Sequence, residues 1–274
     1  MIERVTTYTP LGLCFWDAVT DSQISDGLRV TARLLNQPHR RVAAFRTGSG
    51  FYAFRDLPGL RALEYPQNDV VPLDSTPPRT YLVEVTDKQR RFLPVRFRVD
   101  LPITDYTGIY RPLYPASPPQ KDEPRFYLFS APARSRPAGT AAIYTQLVEA
   151  NRSTPAAWAF IEMVIAGTPY YTYSDRRGCA TLMLPWPPLL ISPLPGTGLA
   201  DQCWDVEIQV RYQSKTAVEL SELWEFSRIR HQPAATLHQT TNSIAQPHLV
   251  FPLCYGQELI VQTAARTALW LEPG

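Results

Sequence analysis

Histidine and cysteine are scarce, with four of each in 274 residues, and neither type falls at the spacing a metal site needs. His231, His238 and His248 are the only imidazole cluster, and they form no H-x-x-x-H or H-E-x-x-H pattern. They read as surface residues of a polar loop, and an enzyme built on them would carry a bound ion. Cys14, Cys179, Cys203 and Cys254 stand far apart with no C-x-x-C pair, which predicts reduced core thiols in a chain folded in the cytosol.

Charge is also low, at 19% of residues with a net +2, and the arginines are scattered rather than gathered in a run. That excludes the electrostatic footprint of a nucleic-acid or anionic-membrane binder. No stretch approaches the roughly 18 apolar residues of a spanning helix, and Met1-Ile2-Glu3-Arg4-Val5 lacks the pattern of a secretory leader. Cytoplasmic synthesis and assembly are therefore expected, with release only as part of an extracellular particle. Catalytic signatures are missing too. There is no G-x-S-x-G elbow, and Gly48-Ser49-Gly50 lacks the Lys-Ser/Thr ending of a phosphate loop. The sequence thus predicts no enzyme and no cofactor.

Proline is plentiful, 27 residues against 13 glycines, which disfavours long helices and favours short strands with stiff connections. Period-two alternation dominates. Leu28, Val30, Ala32 and Leu34 share one face of a strand, and Val95, Phe97, Val99 and Leu101 repeat the pattern. Val42 to Phe45 leads through Thr47-Gly48-Ser49-Gly50 into Phe51 to Phe54, a hairpin signal. Tyr81, Val83 and Val85 add another strand. Phe126 to Phe129, Ala141 to Val148 and Trp158 to Ile165 follow, and Tyr170 to Tyr173 turns through Ser174 to Gly178 into Cys179 to Leu184. Trp204 to Tyr212 alternates cleanly. One segment, Val218 to Phe226, has helical spacing through Leu220, Leu223 and Trp224.

These patterns predict an all-β chain of two tandem antiparallel β-sandwiches with one short helix in the second. The expected domains are 1–105 and 125–274, joined by a Pro-rich linker at 106–124, with an irregular excursion at 213–247. A short internal repeat, closing on Leu57-Pro58 and again on Leu184-Pro185, suggests duplication of one module.

Two apolar features stand out as binding candidates. Tyr170, Tyr171 and Tyr173, with Trp186 close in sequence, form either an aromatic platform for a partner or sugar, or a cross-strand packing stripe. The run through Trp186, Leu189, Leu190 and Ile191 is too proline-broken for a strand and too apolar for a solvated loop, so it either caps the sandwich or docks on a neighbour, and it is the best candidate for an interface.

The stretch from Gly27 through Val42-Ala43-Ala44-Phe45, Gly50-Phe51-Tyr52-Ala53-Phe54 and Leu57-Pro58-Gly59 resembles the carboxypeptidase-regulatory, transthyretin-like (Ig-like) β-sandwich. Arg91-Phe92-Leu93-Pro94, Val99-Asp100-Leu101-Pro102, Phe129-Ser130-Ala131-Pro132, Pro155-Ala156-Ala157-Trp158 and Asp175-Arg176-Arg177-Gly178 are similar to accessory proteins of phage-tail-like contractile injection systems. The resemblance implies a non-enzymatic adaptor at the cap or baseplate, binding sheath or tube subunits as a homo-oligomeric ring. It carries over no site residue. The alternative is a carbohydrate-binding module using the Tyr170 to Tyr173 face.

Overall fold

The structure, a computed structural model, describes residues 8–65, 77–102, 125–188, 202–216, 218–219 and 222–274. It is all-β, with four sheets arranged as two sandwiches.

In the first sandwich, β3 (Leu28–Leu34) lies between β4 (Arg41–Ala43) and β7 (Arg79–Asp87), and β8 (Val95–Leu101) pairs with β7. The alternation seen in sequence is the alternation observed. Leu28, Val30, Ala32 and Leu34 point into the core, the last three opposite Val85, Val83 and Tyr81 across the ladder, while Arg29 stays outside. The facing sheet holds β1 (Gly12–Asp17), β2 (Ser22–Gln23), β5 (Phe45–Arg46) and β6 (Tyr52–Ala53).

The expected strand Val42 to Phe45 is split. Arg41–Ala43 pairs with β3 in one sheet, and Phe45–Arg46 pairs with β6 in the other. Between them the Ala44 N–H still donates to Val30 O at 2.9 Å, so the chain steps across the sandwich without losing its hydrogen bonds. The glycine turn that follows is as expected, with Gly50 at φ +83°.

The domain boundary differs from expectation. β9 (Arg125–Leu128), expected to open the second domain, runs parallel to β1 and completes the first sandwich. Phe126 stacks on Phe97 at 4.8 Å, and Leu128 lies in the same core. Hydrophobic burial on β1 outweighs the sequence position of this strand. The linker expected at 106–124 lies outside the described residues. A short helix that the sequence did not announce, α1 (Arg61–Glu64), also belongs here. Its buried Glu64 carboxylate accepts the N–H groups of Asp56 at 2.9 Å and Leu57 at 3.1 Å, which satisfies a charge that burial alone would make costly.

The second sandwich sets β12 (Thr168–Tyr173), β11 (Phe160–Ile165), β14 (Cys203–Arg211) and β16 (Leu249–Cys254) in one sheet. Its partner sheet holds β13 (Cys179–Pro185), β10 (Thr140–Glu149), β18 (Leu269–Glu272) and β15 (Thr236–Leu237), with β17 (Leu259–Val261) parallel to β10. Ile161, Met163, Val206, Ile208 and Val210 face Ile143, Leu182 and Leu269 across the core.

The hairpin expected between Tyr170 to Tyr173 and Cys179 to Leu184 is instead a corner between sheets, because β12 pairs with β11 and β13 with β10. The true hairpin is β11–β12, closed by Ala166 and Gly167, both at positive φ, the pair a two-residue turn of the right hand requires. The suggested duplication is not repeated in the pairing: β3 pairs with β4, whereas β10 and β11 lie in opposite sheets.

The corner depends on Gly178. At φ +77°, a Cβ there would press on the Leu147 carbonyl, and that carbonyl already accepts the Ala156 N–H. Gly178→Ala is expected to lower stability by about 3 kcal/mol, from left-handed strain together with the clash. Urea unfolding would check this; Gly167→Ala, whose Cβ would meet nothing within 4 Å, should cost less.

The expected helix also moves. Val218 and Glu219 are helical, but the helix that follows is α2 (Phe226–Arg230), which starts where the sequence pattern ends. Glu225, extended at φ −64° and ψ 138°, breaks the continuity.

Candidate functional site

Where the two sandwiches meet, a third buried cluster forms from both. Leu93 of the first joins Phe129, Trp158, Phe160, Tyr173, Trp224, Phe226 and Ile229. Phe129 and Phe226 are stacked at 5.3 Å, and Tyr173 meets Phe129 edge-on at 5.3 Å. The Tyr173 hydroxyl donates to the Pro94 carbonyl at 2.6 Å, a bond from the second sandwich to the first. Burial pushes that phenol up from its ordinary value.

Polar ties surround this cluster. Arg98 on β8 pairs with Glu225 at 2.7 Å. Arg134, just past β9, grips Asp17 of β1 with both guanidinium nitrogens, and its Nη1 also donates to the Ser130 hydroxyl at 3.0 Å. Both side chains of that pair are about nine-tenths buried, and Asp17 also accepts the Val19 N–H at 2.9 Å. Its lone pairs are therefore well used.

The candidate interface residues are not brought together. Period two on β12 sends Tyr171 and Tyr173 to the junction side and Tyr170 to the core of the second sandwich. Tyr171 stacks on Phe160 at 5.7 Å. Tyr173 is fully buried, so it is an interface residue only in the internal sense, between the two sandwiches, and a sugar cannot reach it. Trp186 lies elsewhere, 6.0 Å from Trp204 and 4.9 Å from Tyr255, against the second core. Leu189, Leu190 and Ile191 lie outside the described residues.

The histidines do not converge either. His231 Nδ1 is 2.7 Å from Ser227 O, His238 Nε2 is 3.2 Å from Glu272, and His248 is exposed. Among the described residues no three His, Cys, Asp or Glu side chains stand close enough to hold a metal.

The cysteine expectation is overturned for two of the four. Cys203 and Cys254 are directly opposite each other on β14 and β16 and form a disulfide, at a sequence separation of 51. Cross-strand pairing brings their Cα atoms to 4.0 Å, a proximity that spacing along the chain could not reveal. Cys14 is a buried thiol outside any disulfide; Cys179 is also outside any disulfide, and burial pushes its thiol up, away from ready ionisation.

A surface concavity lies beside the junction. It is an open groove of about 550 Å³ lined by Arg96, Arg98, Trp224, Glu225, Arg228 and His231. Its three arginines are already matched, Arg98 to Glu225, Arg96 to Glu84 at 3.0 Å and Arg228 to Glu219 at 2.7 Å, and Glu222 adds a further carboxylate to the lining. Such a groove suits contact with a protein surface better than capture of a small ion.

No family model matches the chain, and no curated protein matches it. Similar solved structures include the Bacillus anthracis TIE protein, 9% identical with a TM-score of 0.25 over 92% of this chain and 33% of that one. Another is GBS52, the minor pilin of Streptococcus agalactiae, at 8% identity and a TM-score of 0.24 over 96% of both chains. A third is BcpA, the major pilin subunit of Bacillus cereus, at 9% identity and 0.23 over 91% of this chain and 60% of that one. The chain thus spans about a third of the Bacillus anthracis protein it matches. At these TM-scores the likeness carries no argument, and the all-β class rests on the strands themselves. No helix among the described residues is long and apolar enough to cross a membrane.

Proposed function

We propose that this chain is a non-enzymatic structural protein, a two-sandwich connector that works through protein interfaces in a contractile, tail-like particle. The observation that supports the reading is the junction. Ten buried side chains and the Tyr173 to Pro94 bond join the sandwiches, so a load or contact on one is passed to the other through packed side chains. A binding module on a tether would not need that continuity. The particle assignment comes from the sequence resemblance, and the mixed-charge groove at Arg96, Arg98 and Trp224 is the surface we assign to the neighbouring subunit.

The disulfide fits a particle that is assembled in reducing cytosol and then released, since disulfides persist in oxidising surroundings. The carbohydrate alternative keeps only Tyr170 and Tyr171 as partly exposed rings, since Tyr173 is buried.

Sedimentation of the full chain tests the proposal. Expected are a ring-sized oligomer or co-sedimentation with sheath and tube subunits, weakened at least tenfold by reversing the groove charge in Arg98→Glu. A chain that stays monomeric, never sediments with particles and is indifferent to that substitution would refute it.

A further inference from the structure

Lys215 is a long cationic side chain held where cations are seldom found. It is 7% exposed, its Nζ donating to Gln213 O at 2.9 Å and to Gln232 Oε1 at 2.7 Å. The rings of Tyr212 and Trp224 lie 4.1 and 4.4 Å away. Gln232 is a hub. Its Nε2 donates to Trp158 O at 2.6 Å and to Ile229 O at 2.9 Å, and its Oε1 also accepts the Gln213 N–H at 3.2 Å. Through these bonds, one carboxamide ties the end of β14, the turn at Trp158 and helix α2 to one another. Trp224, Phe226 and Ile229, on the segment that Gln232 anchors, fill the cluster between the sandwiches.

We propose that Lys215 is a proton-operated latch on the segment 222–232: the segment is held most firmly when the amine is neutral, and proton uptake loosens it together with the joint between the sandwiches. The groups that face the amine come from several elements. Glu149 of β10 accepts from the Tyr212 hydroxyl at 2.6 Å and from Ser214 at 2.9 Å, and Arg152 lies 4.0 Å from it. Glu219 is paired with Arg228, whose guanidinium lies 3.6 Å from the centre of the Trp224 ring. Both carboxylates are thus engaged elsewhere, and the Arg228 cation opposes a second charge on the far partner of the same ring. Burial, set against the attraction of Glu219 and Glu149, pushes the amine from its ordinary 10.5 down to about 7.

The sign follows from linkage. In the opened segment Lys215 meets water and keeps its ordinary affinity for the proton, so opening takes up one proton at any pH between the two values. Opening is therefore favoured as pH falls from about 10 to about 7, by about tenfold per pH unit, and levels off below that because both states are then protonated.

Hydrogen exchange of the full chain, corrected for intrinsic rates, reads this directly at the Ile229 and His231 amides, which donate to Glu225 O and Ser227 O. Expected is that tenfold slope in the wild type and in His231→Gln, and a flat profile in Lys215→Met. A flat wild-type profile, a slope kept by Lys215→Met, or a slope lost in His231→Gln would overturn the latch. Should Lys215→Met fail to fold, an NMR titration of the wild-type Lys215 side chain decides. A midpoint near 7 supports the proposal, and a midpoint near the ordinary lysine value refutes it.

Discussion

Replacing Cys203 and Cys254 together by serine is expected to remove about 4 kcal/mol of stability. The bond closes a loop of 51 residues, and in the chain-entropy picture a loop of that size restricts the unfolded chain by about this amount. The loss should be larger than for most surface pairs because the two cysteines hold β16, an edge strand, against β14. Without the bond, β16 keeps only its ladder with β14 and its packing on the core, and its outer residues, including the half-exposed Val250, gain freedom to fray. Urea unfolding of the oxidised wild type, the reduced wild type and the double serine variant measures the effect. The latter two should coincide, well below the first. Equal midpoints for oxidised and reduced protein would show that the bond contributes nothing.

Phe226→Ala is expected to cost about 4 kcal/mol and to uncouple the sandwiches. The ring is 1% exposed and touches Phe129, Phe160 and Tyr173, so its removal leaves a cavity ringed by rigid aromatics that cannot collapse to fill it. Because those partners belong to the joint rather than to either core, the loss falls on the coupling between two units that each keep their own interior. Thermal unfolding should then pass from one transition to two. An exposed residue gives the contrast: Ile244→Ala, at 89% exposure, should shift stability by no more than about 0.5 kcal/mol. A single unshifted transition in Phe226→Ala would mean that the joint is not a source of cohesion.

Strands with one wet face were legible from sequence. Leu28 to Leu34, Val95 to Leu101 and Trp204 to Tyr212 alternate because one side meets the core and the other meets water, and the structure places each where the pattern did. Gly12–Asp17 was not legible. Its Leu13, Cys14 and Phe15 are consecutively buried, since β1 is flanked by β6 and β9 and covered on both faces, and such a run has no period to detect. The α1 helix was hidden for another reason. At four residues, it is held by Glu64 accepting N–H groups from Asp56 and Leu57, not by any helical repeat.

The candidate site was legible only in part. The aromatic wealth of β12 is evident in the letters, and the alternation rule could have split Tyr170 from Tyr171 and Tyr173. That the latter pair would be met by Leu93 and Phe129 could not be read, because those contacts span segments far apart in the chain. Lys215 and Gln232 carry no motif at all; their pairing exists only once β14 and α2 are brought together.

By itself, then, the sequence determined the local half of this protein: an all-β chain, the faces of its alternating strands, and the Gly50 turn. These follow from side-chain period and backbone sterics, which act over a few residues. Only the tertiary structure decided that β9 returns to β1, that Cys203 meets Cys254, that an aromatic joint lies between the sandwiches, and that Lys215 is buried against Trp224 of that joint. Each of these is a meeting of distant segments, selected by the burial of apolar area and the satisfaction of polar groups across the whole chain, and no local pattern encodes it.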